Sequence, residues 1–422
     1  MLDMRRRVLL SFILASTAIS FGQSVGSLPT PTGRYDVGRA SFDWVDRNRP
    51  EVITSAPDDF REIMVYVWYP AVGDGRVAGP YMPAAELLRP IATRIGLNNL
   101  FGPIWAKIES GELRSHSFDG ARLPPGGKLP VLVFSPGGGN TPLAYTTQME
   151  ELASYGYLVV GVVHTYEAAF SAFPDGRVVT PANDYWSRLS TGNPENFEQV
   201  GSDMLAQDIR FVIDKLIDAN KDSTSIFYQR LELGRIGVFG HSRGGRTAAR
   251  TCQLDRRVTA CLNEDGNVFW QPFWLDATGG SMQQPFMMID HLDPELPEEV
   301  FRQMGTTQES YAANRSAKRE AAQKTIYKTI AGGSYHVTIS TPGISHNSFL
   351  DVRLLGRVDG SGINIWPKDV QEATPHARIL SVVTAYVRAF FDNYVRQMPA
   401  PLLDTSPAMQ DVEIRRYTAA GK

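Results

Sequence analysis

A serine hydroxyl attacks a carbonyl only when an imidazole takes its proton and a carboxylate holds that imidazole in the right tautomer. Ser242 lies in the run Gly240-His241-Ser242-Arg243-Gly244, which fits the pattern G-x-S-x-G. In that pattern the serine sits on a strained turn between a strand and a helix, and the glycines let the two elements pass closely. The hydroxyl then stands above the strand ends, within reach of a base. Around it, Arg235–Phe239 is a short β-branched and apolar run and the chain from Thr247 onward reads as a helix, so residues 240–245 form the turn. The helix that starts there directs its free amides and positive dipole end toward negative charge forming beside Ser242.

The base must come from seven histidines. In a fold built on such an elbow, the base follows nucleophile and acid in chain order and lies on the loop after the last strand. His116, His164 and His241 come too early, His291 follows a strand that is not the last, His336 sits inside the final strand, and His376 opens the closing helix beside Pro375. His346, in TPGISHNSF just past Ser340, is the one placed correctly. The carbonyl oxygen that becomes negative needs preset backbone amides. Gly137-Gly138-Gly139 follows a strand ending near Ser135 and has no side chains to obstruct the approach, so one amide is assigned to Gly138 and the second to Arg243, next to the nucleophile. Carboxylates stand at two strand ends: Asp265 in ACLNEDGN, and Asp290 and Asp293 in MMIDHLDP. Placement alone leaves both open. Glu264 is disfavoured, because neighbours on a strand point to opposite faces. No metal cluster is evident, and acyl transfer of this kind needs no cofactor.

These groups can meet only if strands carry them to one edge. Pro130–Phe134 and Tyr157–Val163 are continuous apolar runs with a helical Leu143–Ser154 between them, the pattern of two parallel strands joined by a crossover. Leu205–Ile217 is an amphipathic helix leading into the elbow strand; Val258–Leu262, Pro285–Ile289 and Tyr335–Ser340 continue the alternation, with Tyr335–Ser340 as the last strand, and Ile379–Val395 is the closing helix. A doubly wound, mostly parallel α/β sheet is predicted. Glu62–Tyr69 reads as an early strand, Ser24–Arg39 as an extended arm, Met82–Ser117 as helical with Leu87, Leu88, Ile91, Ile95 and Leu97 on one face, and Asp404–Lys422 as a loosely held tail. No linker is rich enough to define a second domain, so residues 23–422 are expected to form one catalytic domain with insertions near 82–117 and 291–330. Trp186, Phe269, Trp270, Phe273 and Trp274 either line an apolar acyl or lipid pocket or are plain core.

With 422 residues and 43% hydrophobic content, the chain can bury a sizeable core. A net charge of −3 with no basic stripe argues against nucleic acid as a partner. Arg5, Arg6 and Arg7 precede an apolar run from Val8 to Gly22, which is short for a bilayer span and suits the core of a secretory signal, with small residues Ser20 and Gly22 before Gln23. Residues 1–22 are therefore read as a signal peptide and the protein as secreted or periplasmic; an uncleaved membrane anchor is the competing reading. Cys252 and Cys261 are the only cysteines. They form either a disulfide between the elbow helix and the next strand or two buried thiols.

Several segments stand in one order along the chain: GPYMP near Tyr81, GGKLPVLVFSPGGG ending at Gly139, ELASYGYLVVGVVH ending at His164, the DIRFVIDKL helix, VFGHSRGG and TISTPGISHNSF. That order resembles the secreted and isoform II platelet-activating factor acetylhydrolases and their bacterial relatives, and it covers most of the mature chain. The resemblance implies an α/β-hydrolase fold with helical insertions over the active site. It implies a serine esterase acting on a small-molecule or lipid ester, short-acyl phospholipids among them, with transient lipid-surface contact. It also favours Asp265 as the acid, since this family carries its acid after that earlier strand, leaving Asp290 or Asp293 as caps or loop anchors. Two positions depart from the family: Pro136-Gly137 stands where His-Gly is usual, and Arg243 where a hydrophobic residue commonly follows the nucleophile. Both changes keep the backbone amides of Gly138 and Arg243, so they bear on substrate preference more than on mechanism. The competing readings are a polyester- or cutinase-like hydrolase, which would need an open cleft, and a catalytically silent binding protein on the same scaffold.

Overall fold

The computed structural model describes residues 28–417 apart from 74, 95–104, 182–193, 267–281, 293–297, 304, 315, 318–319, 321–329, 342–343, 356–375 and 405–408. The segment read as a signal peptide, the aromatic candidates Trp186, Phe269, Trp270, Phe273 and Trp274, and Asp293 lie outside the described residues.

Two long strands open the chain, β1 (Asp36–Pro50) and β2 (Phe60–Ala71), followed by helix α1 (Ala85–Arg94) and the short β3 (Ser117–Asp119). The alternation then begins with β4 (Leu129–Ser135), α2 (Thr146–Ser154) and β5 (Leu158–Val163), and a small hairpin follows, β6 (Ser171–Ala172) and β7 (Val178–Val179). Next come α3 (Pro194–Lys221), β8 (Leu231–His241), α4 (Arg243–Leu254), β9 (Val258–Glu264) and β10 (Phe286–His291). The chain ends with α5 (Glu298–Gln303), β11 (Ser334–Ile339), α6 (His376–Tyr394) and β12 (Val412–Tyr417).

Apart from the small hairpin these strands form one 10-stranded sheet in the order β12-β11-β10-β9-β8-β4-β5-β2-β1-β3. The block from β5 to β11 is parallel throughout, as near-continuous apolar strands buried on both faces require. Antiparallel pairings β2/β5, β1/β2 and β11/β12 extend it on either side. Within β4 the pleat divides the core: Val131 and Val133 pack with Ile209, Val212 and Ile213 of α3 and Ala248 and Ala249 of α4. Leu132 and Phe134 pack on the other face with Met149 and Leu152 of α2 and Tyr386, Val387 and Phe390 of α6. Helices on both faces and parallel strands between them make this the doubly wound α/β sheet predicted. Cys252 on α4 and Cys261 on β9 are joined by a disulfide.

Four readings of the sequence are corrected. The arm at Ser24–Arg39 gives way at Asp36 to β1, whose exposed Ser41, Asp43 and Val45 alternate with half-buried Ala40, Phe42 and Trp44; its charge content masks that period. The tail contains β12, so β11 is not the last strand; Val412 and Ile414 pack on the core while Glu413, Arg415 and Arg416 face out, a charged edge that discourages further strand pairing. The helical stretch after Met82 ends before β3, which pairs with β1, and Leu87 is exposed while Leu88 is buried. Finally, α4 starts at Arg243 rather than Thr247. No helix among the described residues is long and apolar enough to cross a membrane.

Candidate active site

Because β8 ends at His241 and α4 begins at Arg243, Ser242 stands alone in the turn, at φ 55° and ψ −119°. A residue with a side chain rarely takes that conformation, which costs on the order of 1–3 kcal/mol and persists only where the surroundings over-determine it. Here the Ser242 amide donates to the Glu264 carbonyl on β9 (2.8 Å), and the Gly245 amide donates to the Ser242 carbonyl (3.1 Å). A Cβ on Gly244 would lie 1.9 Å from the Ser135 carbonyl oxygen, and one on Gly240 would lie 2.4 Å from the same atom. The glycines are therefore a packing requirement: β4, β8 and α4 meet backbone to backbone, and only then does the serine project over the strand ends.

At this edge Ser242 Oγ lies 2.9 Å from His346 Nε2, and His346 Nδ1 lies 2.6 Å from Asp265 Oδ2. His346 begins a single 3-10 turn held by a reciprocal Ser345–Ser348 capping box. Asp265 follows the end of β9 at φ 52°, and its amide donates to the Ile289 carbonyl of β10 (2.7 Å). The His346 side chain is 48% exposed and that of Asp265 11%, so the imidazole faces an approaching molecule while the carboxylate is shielded behind it. Burial alone would raise the Asp265 pKa, but His291 and His346 hold it below the usual carboxylate range.

His291, whose place in the chain excludes it as the base, stands at the end of β10 with its Nδ1 3.0 Å from Asp265 Oδ2. The signal that could have found it is its position at the carboxyl end of the strand beside the one that leads to Asp265. Asp290, the alternative acid, is buried on β10 with Oδ2 3.0 Å from His336 Nε2 on β11. The structure thus brings Ser242, His346 and Asp265 together and engages Asp290 elsewhere. Glu264 reaches the opposite face, where Gln148 of α2 donates to its Oε1 (2.7 Å). Burial pushes the Glu264 carboxyl up to about 8, and the Gln148 hydrogen bond offsets only part of that.

The glycine loop after β4 lies across the elbow. The Gly137 amide donates to the Tyr145 hydroxyl (3.1 Å), whereas Gly138 is exposed and its amide has no hydrogen bond among the described residues. A Cβ on Gly138 would come 3.9 Å from Arg243 Cβ and 3.3 Å from Glu167 Oε1, which puts the Gly138 backbone next to the start of α4. The Arg243 side chain is buried, with Nε 3.6 Å from Glu167 Oε1. The loop is tied at both ends. Ser135 Oγ meets His164 Nε2 (2.9 Å), His164 Nδ1 meets Asp208 (2.9 Å), and the Ala169 amide donates to the Gly139 carbonyl (3.0 Å).

Ligand atoms of His241, Asp265 and His346 lie within 4.8 Å of one another. They are already engaged: the His346 ring with Ser242 and Asp265, and the His241 ring with Tyr145 and the His346 carbonyl. That donor set does not fit a metal ion. It fits proton transfer between an alcohol and an imidazole backed by a carboxylate.

The family model for platelet-activating factor acetylhydrolase, isoform II, matches residues 20–207. A probable 1-alkyl-2-acetylglycerophosphocholine esterase of Arthroderma benhamiae is 23% identical over 405 residues, covering 90% of this chain and 92% of its own. The platelet-activating factor acetylhydrolase of Bos taurus is 24% identical over 68% of this chain and 64% of its own length. Among solved structures, a ferulic acid esterase from Streptomyces cinnamoneus matches with a TM-score of 0.67 at 28% identity, covering 93% of this chain and 99% of its own. Sequence, fold and site geometry converge: the chain is a carboxylic ester hydrolase of the α/β-hydrolase fold, related to the isoform II platelet-activating factor acetylhydrolases.

Proposed function

We propose that the protein is a secreted serine esterase that uses a Ser242-His346-Asp265 triad on short-acyl phospholipids. The observation that carries the reading is the unbroken contact from Ser242 Oγ through His346 to Asp265, with the serine on a strained elbow. His346 Nε2 takes the Ser242 proton as Oγ bonds to the ester carbonyl carbon; Asp265 keeps the Nδ1 proton in place and stabilises the imidazolium that forms. The carbonyl oxygen, now negative, is held by the amides of Gly138 and Arg243 and the amino-terminal end of α4. Collapse of the tetrahedral species expels the alcohol, which takes the proton from His346. Water then repeats the sequence on the acyl-serine and releases the acid.

Short-acyl phospholipids are favoured by the acetylglycerophosphocholine esterase activity named for the Arthroderma benhamiae relative, which matches over 90% of this chain. The similarity to a ferulic acid esterase favours a second reading, esters of aromatic acids. Export is supported by the basic triplet and apolar run at 5–22 and by a disulfide, a bond that persists in oxidising compartments. The test is a set of initial rates on an acetylated phospholipid, an acyl-chain series of nitrophenyl esters and methyl ferulate, with Ser242→Ala as control. A clear preference for the acetylated phospholipid and the shortest acyl chains, abolished in the control, is expected. Preference for ferulate would move the substrate class, and undiminished turnover by Ser242→Ala would remove the triad. Recovery of the protein outside the cytoplasm with a new amino terminus at Gln23 checks export.

A further inference from the structure

We propose that Tyr145 and His241 are positioning residues, forming a one-directional hydrogen-bond relay that holds the loop carrying Gly138 and the loop carrying His346 in register with each other. The inference rests on the reading that Ser242, His346 and the Gly138 amide act together on an ester. The chain of contacts is short and closed. The Gly137 amide lies 3.1 Å from the Tyr145 hydroxyl, that hydroxyl 2.9 Å from His241 Nδ1, and His241 Nε2 3.0 Å from the His346 carbonyl oxygen.

Its direction is forced by chemistry. An amide can only donate, so Tyr145 Oη accepts from Gly137 and has its own proton to give; a carbonyl can only accept, so His241 Nε2 must carry the ring proton. Nδ1 then accepts from Tyr145, and the imidazole is neutral. Burial agrees: Tyr145 and His241 are 0% and 1% exposed, and a charged ring there would be desolvated. Burial and the neighbouring His346 both push the His241 pKa down. The ring is also packed, stacking on Phe349 at 5.2 Å and lying 4.6 Å from the His346 ring. His241 is also the residue just before the nucleophile. One side chain on the elbow thus reaches the oxyanion side through Tyr145 and the base side directly, spanning the two groups whose relative placement sets the rate.

Three variants test this: Tyr145→Phe, His241→Ala and His241→Gln, the last able to give an amide donor back to the His346 carbonyl. The kcat and KM on a nitrophenyl acetate are measured per active site titrated with an organophosphate, so that misfolded chains do not enter. Tyr145→Phe should lower kcat by about 10–100-fold with KM within about twofold, the size of a small misplacement of reacting groups. His241→Gln should recover part of what His241→Ala loses, and combining Tyr145→Phe with His241→Ala should cost less than the product of the two, as members of one chain do. A Tyr145→Phe enzyme with wild-type kcat per titrated site, or strictly multiplicative losses, would overturn the relay. If Ser242→Ala stays active, the underlying reading falls instead, which separates the two failures.

Discussion

Asp265 holds a negative charge in a nearly closed site, with His291 and His346 both on Oδ2. Its replacement by Asn leaves the shape intact but offers His346 Nδ1 a donor in place of an acceptor, so turnover should fall by about four orders of magnitude through the wrong tautomer. Asp290→Asn should cost far less, because Asp290 serves His336. Ser242→Ala and His346→Ala should each remove nearly all activity without unfolding the chain. Turnover numbers for these four variants decide the matter, and a dead Asp290→Asn beside an active Asp265→Asn would move the acid to β10. Glu264 makes a different prediction, one about stability. Its folded pKa of about 8 lies above that of an unfolded carboxylate, as does that of Asp351 at about 7, again chiefly through burial. The folded protein therefore holds protons that the unfolded chain releases. This stabilisation is complete below the unfolded pKa and is lost as pH rises toward 8. Neutral His241 and His376, both depressed by burial, work in the opposite sense below about pH 6.5, so the melting temperature should fall between about pH 6.5 and pH 8. Glu264→Gln, which keeps an acceptor for Gln148, should flatten that slope, and an unchanged slope would show that Glu264 does not set it.

The elbow and its helix behave as one packed unit with β4 and β9. Gly244 occupies the first turn of α4, where any Cβ meets the Ser135 backbone at 1.9 Å, and a backbone carbonyl inside a sheet cannot rotate away. Gly244→Ala should destabilise by about 3 kcal/mol or more and displace Ser242. Urea unfolding beside activity checks this; a stable, active variant would mean that α4 can shift. At the other end of the same helix, the Cys252–Cys261 disulfide closes a loop with a sequence separation of 9. Loop-closure entropy makes that worth about 2–3 kcal/mol. Reductant should lower the melting temperature, and two thiols titrating in the unfolded, unreduced protein would remove the bridge.

Across the molecule, one buried ionic network joins elements far apart in sequence. Arg61 on β2 makes a two-pronged contact with Asp208 on α3 (3.0 and 2.7 Å), while its Nη1 meets Glu51 (3.0 Å) and the Thr165 carbonyl (2.8 Å). Through Asp208 it reaches His164 and then Ser135 at the start of the glycine loop. Burial opposes the charge on Arg61, but Asp208 and Glu51 together hold its pKa above the ordinary value. Arg61→Ala would take the cation from buried Glu51 and leave Arg49, 2.8 Å from Asp208, to balance that carboxylate, and should cost about 3 kcal/mol in urea unfolding. A loss below about 1 kcal/mol, the range of a surface pair, would show that water already reaches the network.

The elbow of Ser242, the loop of His346, the glycine loop and the parallel block are legible in the sequence because each is written locally. Glycine spacing reports a backbone contact, and a continuous apolar run reports a strand buried on both faces. The outer strands β1 and β12 are not legible that way, since their outward faces are charged and only a partner strand makes them strands. Which of Asp265 and Asp290 meets His346 is likewise beyond any single segment. Both sit at the carboxyl ends of neighbouring parallel strands, and what separates them is a positive-φ turn at Asp265 and the presence of His336 beside Asp290. Nor does spacing assign His291 to the acid or link His241 to both sides of the serine. Those contacts span gaps of tens of residues and exist only because the sheet brings its strand ends to one edge, where distances of about 3 Å select which groups share a proton.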